Sequence, residues 1–282
     1  MKKNIVNRIL IGLTTAALSI GLIGCGSSST STNANSDEKK VITIGVSPGP
    51  YNELFDTAIK PILENEGYEI KSIDFSDLLQ SEVALTEGSV DVNVAQHTAY
   101  AENYNKDNNG DLVPIVHIPT VPAGIFSDNH TSLDDVKEGS KVAIPNDPSN
   151  TARAFRLLEK AGWIKLKESA NPTTLTINDI EENIKGIDIT EMESSQIPRS
   201  LKDIDYGVIP GSIVYSSKMD AEKSLLAEDV SEELELVAVV SEKNKDSKWA
   251  NDIVAAYKSD EFKAYMDENN KDNYWFIPEE LK

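Results

Sequence analysis

From Val41 onward the chain alternates short apolar runs with segments of helical spacing. Val41-Ile42-Thr43-Ile44-Gly45-Val46 predicts a strand, closed by the turn cluster Ser47-Pro48-Gly49-Pro50. Asn52 to Asn65 predicts a helix through Leu54, Ala58, Ile62 and Leu63, with Gly67 as its stop. A strand over 69–75, a helix over 77–87, a strand over 90–94, a helix over 98–105 and a strand over 112–118 follow. Beyond Pro119 and Pro122 a second unit begins. It carries a short helix over 132–136, a strand over 141–144, a helix over 150–161 ended by Gly162, and a strand over 187–192. A helical stretch over 196–202 and strands over 204–209 and 234–241 come next. Trp249 to Asn269 has the spacing of one or two amphipathic helices. Strands alternating with helices predict an α/β fold with largely parallel sheets. No repeat of 20 to 50 residues is visible. The expected layout is a first lobe from residues 41–121 and 236–282, a second from 122–235, and a cleft between them spanned by two crossovers.

The first 40 residues break this pattern. Met1 to Arg8 holds Lys2, Lys3 and Arg8 and no acid, and Ile9 to Ile23 is uncharged and rich in Ile, Leu and Ala. A membrane-spanning helix needs about 20 apolar residues, so the run is short for one. A basic head followed by a short apolar stretch predicts a signal peptide over residues 1–24. It stops at Leu22-Ile23-Gly24-Cys25, which resembles the bacterial lipobox. By that resemblance Cys25 becomes the first mature residue and carries thioether-linked diacylglycerol. The alternative is a lone buried thiol after an ordinary signal peptide. Gly26 to Lys40 is mostly Ser, Thr, Asn and Gly, so residues 25–40 are expected to form a lipidated cysteine and flexible tether.

Composition narrows the functional classes. The chain has 282 residues, with 47 acidic against 27 basic side chains and a formal charge of −20. Such a balance argues against a nucleic-acid groove or affinity for anionic lipid, both of which need basic patches. One cysteine excludes a disulfide framework, and three scattered histidines offer little to a metal. Asn105 to Gly110 looks like the start of a calcium loop, but Val116 stands where the bidentate Glu belongs, and a turn is expected instead. No phosphate loop, dinucleotide motif or nucleophile elbow occurs, and no nucleophile–base pair is marked, so neither cofactor nor catalysis is expected. The paired acids Glu181-Glu182 and Glu232-Glu233 read as solvated faces.

Candidate chemistry concentrates at strand ends, where open α/β sheets bind ligands. Ile144 to Arg153 is a strand end, a Pro/Asn/Asp turn and a helix start, with Ser149 or Asn150 at the expected N-cap. Arg153 would then lie in the first turn, against the helix dipole. A bound carboxylate gripped by the guanidinium fork explains it, and so does a plain cap beside a solvated arginine. Asp91 to Tyr100 is a second strand-to-helix junction that turns Gln96, His97 and Tyr100 toward a cleft; a capping histidine beside a packed tyrosine is the other reading. Ser47 to Tyr51 follows the first strand in the same way.

Taken together, Gly45 to Pro50, Gln96-His97, Ser127 to Val136, Ile144 to Arg153, Gln196 to Leu201 and Asp203 to Ile209 make the chain resemble the methionine-binding lipoproteins. These are solute receptors of methionine-type ABC importers. The resemblance spans nearly all of Val41 to Leu281. It implies a two-lobed type II periplasmic-binding-protein fold that closes on a free amino acid or short peptide. It also implies a permease and its ATPase as partners, and an extracytoplasmic location at the cell membrane. Under it, Arg153 clamps the ligand carboxylate with Asn150 beside it, His97 and Tyr100 line the first-lobe wall, and Tyr51, Gln96 and Ser212 complete the ligand set. Three stretches depart from the family. Asn93-Val94-Ala95-Gln96-His97 lacks the usual aromatic pair, and Asp77 to Glu82 replaces an Asp-Tyr-Val-Gln-Pro-Asn run. Pro210-Gly211-Ser212-Ile213 replaces Asn-x-Asn-Tyr. Loss of the aromatic pair is expected to weaken methionine binding, and the wider pocket suits instead another amino acid, a dipeptide or a different small carboxylate. A surface lipoprotein of the same fold, acting in adhesion or sensing without transport, is the alternative from another class.

Overall fold

The computed structural model describes residues 39–270 and 273–282. The signal peptide, Cys25 and the tether up to residue 38 lie outside the described residues. The first sheet has the order β2-β1-β3-β12-β4, from β1 (Val41–Val46), β2 (Glu69–Asp74), β3 (Val92–His97), β4 (Leu112–Ile118) and β12 (Leu236–Ser241). The second has the order β11-β5-β10-β6-β9, from β5 (Gly124–Phe126), β6 (Lys141–Pro145), β9 (Asp188–Met192), β10 (Tyr206–Ile209) and β11 (Leu226–Ala227). The short β7 (Lys165–Leu166) and β8 (Ile180–Glu182) form a separate ribbon.

The α/β class holds, but the sheets are mixed. In the first, β1 pairs parallel with β2 and β3, while β12 runs antiparallel to both β3 and β4. In the second, β6 pairs parallel with β9 and β10, while β5 opposes both β10 and β11. The cause is connectivity. β4 runs toward the second sheet and hands over to β5, which therefore runs away from the junction. β11 runs back to it, and β12 enters the first sheet against its neighbours. β5 and β11, three and two residues long, carry too little pattern to show in the sequence.

Each sheet has its own core. Ile42, Ile44, Val92 and Val94 pack beneath Leu54, Phe55, Ile59 and Leu63 and against α8 (Lys248–Tyr257) and α9 (Asp260–Asn269). Trp249 to Asn269 is thus two helices, restarted by Ser259, whose hydroxyl accepts the Phe262 N–H at 3.1 Å. In the second lobe, Phe155, Leu157 and Leu158 of α5 (Pro148–Lys160) pack with Trp163 and Tyr206. The helix expected over 52–65 is interrupted. α1 (Tyr51–Leu54) and α2 (Lys60–Asn65) flank a π-turn at Phe55–Ile59, because Pro61 has no N–H to give Thr57 and Lys60 N–H reaches back to Phe55. α3 (Leu78–Thr86) and α4 (Thr98–Asn108) complete the first lobe; α6 (Ile197–Ser200) and α7 (Gly211–Ser216) complete the second. The calcium-like stretch is a turn: Asn109 ends α4 at φ 51°, and the Asn105 side chain bonds the backbone of Leu112 through both amide atoms.

Residues 119–123 and 228–235 connect the sheets. Buried Thr120 knits the first connection to the returning chain: its hydroxyl accepts the Leu236 N–H at 2.8 Å and donates to Ile118 O at 3.1 Å. Its backbone exchanges two hydrogen bonds with Phe276, at 2.9 and 2.8 Å. The C-terminal segment is therefore part of the same junction.

Candidate functional site

The strand-to-helix junction at α5 starts two to three residues earlier than its sequence suggests. Asp147 is the N-cap, accepting the Asn150 N–H at 3.0 Å and the Ser149 hydroxyl at 3.0 Å, while Pro148 fills the first helical position. Asp caps as well as the expected Ser149 or Asn150, and proline at the next position, needing no acceptor, settles the start in its favour. Arg153 consequently falls in the second turn, so the dipole argument for it does not apply.

A different force holds Arg153. Its side chain is 5% exposed, and its partner is Glu228, equally buried at 6%. Nε donates to Glu228 Oε2 at 2.6 Å, and Nη2 donates to Glu228 Oε1. Burial opposes the charge on Arg153, but the Glu228 charge and hydrogen bonds outweigh it and raise the pKa. Glu228 Oε1 also accepts the Ala123 N–H at 2.8 Å, while the Glu228 N–H bonds Ala123 O at 3.0 Å. The counter-ion thus belongs to the connection between the lobes. Two guanidinium positions are committed to Glu228. Nη1 turns away from Glu228 and donates to Asn150 Oδ1 at 3.4 Å.

Sequence reasoning missed Glu228. One acid among 47, next to a two-residue strand, carries no spacing or motif. The only usable signal was indirect: a buried arginine requires a buried acid.

Across the cleft, His97 is a capping histidine beside a packed tyrosine. Nδ1 accepts the Tyr100 N–H at 3.1 Å, so the ring caps α4, and Tyr100 meets that ring edge-on at 6.3 Å. Nε2 is buried without a well-formed hydrogen bond, facing Asn150. Burial, reinforced by the Arg153 charge, lowers the His97 pKa to about 3. The imidazole is therefore neutral at pH 7, and because Nδ1 accepts the Tyr100 N–H, the ring proton sits on Nε2, which is a donor. Tyr51 is buried beside Trp275, its hydroxyl accepting the Val121 N–H at 3.3 Å; burial raises its pKa while Arg153 pulls it down. Burial raises the Tyr100 pKa too, aided by Asp147, Glu82, Asp77 and Glu193.

The structure brings Arg153, Asn150, His97, Tyr100 and Tyr51 together. Ser212 opens α7 and packs on the Ser47–Pro50 turn: Gly49, at φ 145°, lies so close that a β-carbon on it would sit 3.1 Å from Ser212 Cβ. Gln96 is not brought to the cleft. Its amide donates to Val237 O at 2.7 Å and Asn93 O at 3.3 Å, bracing a bulge in β3. Val94 is buried in the core, while Ala95 is only partly covered. Among the described residues no cluster of acids, histidines or cysteines suited to a metal occurs, and no helix is long and apolar enough to cross a membrane.

Two sheets with separate cores, joined by a double connection and facing each other across charged and aromatic groups, define a type II solute-binding protein. The NlpA lipoprotein family pattern matches residues 42–278, and the chain belongs to that family. It is 35% identical over 250 residues to the D-methionine-binding lipoprotein MetQ of Salmonella typhi, covering 86% of this chain and 88% of that one. The MetQ of Escherichia coli K12 is 34% identical with the same coverage. Among solved structures, a nutrient-binding protein from Burkholderia cenocepacia bound to methionine superposes with a TM-score of 0.77 at 32% identity, covering 84% of this chain and 99% of that one. The methionine-binding protein MetQ gives 0.77 at 31% identity, with 86% and 99% covered.

Proposed function

We propose that this protein is the extracytoplasmic receptor of an ABC importer and that it binds methionine or a related amino acid by closing two lobes around it. The buried Arg153–Glu228 pair carries this reading. A free amino acid is a zwitterion, and the cleft offers a cation with one guanidinium nitrogen to spare beside an anion held in place. The ligand carboxylate is assigned to Arg153 Nη1 and Asn150, and the ammonium to Glu228. His97 Nε2 supplies a further polar contact, and Tyr51 and Tyr100 supply walls. Ser212 stands opposite Gly49 at the cleft edge. Nothing covalent is asked of these groups; binding and a population shift toward the closed form suffice.

The side-chain end of the pocket is the part most altered from the family. Sulfur–aromatic contacts contribute roughly 0.3–1.5 kcal/mol each, and Ala95 offers none. A thermal-shift screen of amino acids and dipeptides tests the assignment, because a ligand that binds the folded state raises its melting temperature. L-methionine is expected to raise it, and Ala95→Phe to raise it further at the same concentration. A flat screen would remove the receptor reading, whereas a response to other amino acids alone would reassign the ligand.

The family and the sequence of residues 1–25 support attachment to the cell membrane through Cys25. Two or three acyl chains at about 0.8 kcal/mol per buried CH₂ hold a globular domain at a bilayer. Cys25→Ala is expected to move the protein from the membrane to the soluble fraction of fractionated cells. Retention of a processed variant in the membrane would defeat the assignment.

A further inference from the structure

The pair Ser81-Glu82 has no part in the cleft chemistry above. The structure places Glu82 on the inner face of α3, fully buried against the first sheet. Its Oε2 accepts the Asn93 Nδ2–H at 3.2 Å. Around this bond the hydrogen-bond count does not balance. Glu82 Oε1, Asn93 Oδ1 and Ser81 Oγ are all buried without a partner. Asn93 Oδ1 and Ser81 Oγ converge over Gly45, where a β-carbon would fall 2.2 and 2.5 Å from them. The Ser81 hydroxyl brings one donor to these three oxygens, while a carboxylate and an amide oxygen bring none, so an ionised Glu82 leaves this buried nest short of donors. One proton on the Glu82 carboxyl turns an acceptor into a donor.

No base is at hand to hold the charge instead. α3 packs on β1, β3, β12 and, through the Thr86–Tyr104 hydroxyl contact, on α4. The strand residues opposite, Gly45, Asn93, Val237 and Val239, do not titrate. Asp91, earlier on the β3 side, is tied to the Thr43 N–H and Lys39. From α4, Tyr100 is the group that feels the Glu82 charge, and it is itself neutral. Burial pushes the Glu82 carboxyl up to about 8, opposed only by the Asn93 bond.

Asn93 matters to the cleft because it begins the bulged stretch that delivers His97. The extra residue of β3 lies between Asn93, opposite Val239, and Gln96, opposite Val237. Gln96 bridges Asn93 O and Val237 O across it, and His97 follows at once as the cap of α4.

We propose that Glu82 is a positioning residue that works as a neutral carboxylic acid, its proton completing the Ser81–Glu82–Asn93 nest and thereby fixing the Asn93–His97 segment on which the cleft histidine is mounted. The inference rests on the placement of His97 and not on which ligand binds, so its test needs no ligand. In difference infrared spectra of the full chain, a buried protonated-carboxyl band is expected at about pH 7 and is expected to vanish by about pH 9. Hydrogen exchange of the amides of residues 93–97, corrected for intrinsic rates, is expected to speed up at least about tenfold over the same interval. Glu82→Gln, isosteric, uncharged and itself a donor, is expected to lose the infrared band and keep these amides protected at both pH values. No band at neutral pH would overturn the proposal even if the variant failed to fold. So would an equal rise in exchange in both proteins, and so would protection that depends on added sodium or potassium, which would mean an ionised Glu82 holding a cation.

Discussion

Arg153→Ala is expected to unfold the second lobe more easily by about 3–5 kcal/mol, the range for a buried ion pair stripped of one partner. Glu228, 6% exposed, would keep only the Ala123 N–H and lose two charge-assisted bonds. The same substitution is expected to lower L-methionine affinity at least tenfold, or about 1.4 kcal/mol. The two effects have different causes and can be separated. Arg153→Met combined with Glu228→Gln removes both charges and keeps a side-chain oxygen for the Ala123 N–H, so it is expected to recover most of the stability and none of the binding. Urea unfolding reads the first effect and calorimetric titration the second. A single variant with unchanged midpoint and unchanged heat of binding would show that the pair matters neither to fold nor to recognition.

Acid is expected to weaken the protein through His97. Its pKa lies near 3 in the fold and about 6.5 in the unfolded chain, so the unfolded state takes up the proton first as pH falls. The stability contributed by neutral His97 is complete above pH 6.5 and declines as pH drops from there toward 3. At about 1.4 kcal/mol per pH unit, the loss is about 2 kcal/mol at pH 5. Glu82 acts in the opposite sense. Its raised pKa favours the fold below its unfolded value near 4.5, and that advantage fades as pH climbs toward 8. The two slopes oppose one another between 4.5 and 6.5, so the wild-type profile alone conceals both. His97→Asn keeps a side chain able to cap α4 and removes the titration. Its unfolding free energy is expected to change with pH from 7 to 5 by about 2 kcal/mol less destabilisation than the wild type shows. Equal acid limbs in the two proteins would rule out this role.

How far the sequence reached is instructive residue by residue. The long elements were legible because each buries one face: Val41–Val46 alternates, and α5 repeats at helical spacing through Ala154, Leu157 and Leu158. β5 and β11 were not, since three and two residues cannot display a period. The parallel sheet expected from strand–helix alternation failed where the chain leaves and re-enters the first lobe, because local pattern carries no direction of travel. In the site, Arg153, Asn150, His97, Tyr51 and Tyr100 were visible as polar groups at strand ends. Gln96 was visible too, but β-bulge geometry turned it to the backbone. Glu228 and Glu82 were invisible. Their meaning comes from burial alone, and in so acidic a chain burial of a particular glutamate leaves no trace in composition. Asp147 is hidden differently: in sequence it sits inside a Pro/Asn/Asp turn, and the sign of the helix start is Pro148 beside it.

One residue of the junction also belongs to the proposed ligand site. Glu228 joins the two connecting segments through its backbone and faces Arg153 with its side chain. A solute that competes for that carboxylate, or offers it an ammonium, pulls directly on the pivot. On the proposed assignment, the distance from bound ammonium to the connection between the lobes is the length of one side chain, and no relay is needed between them.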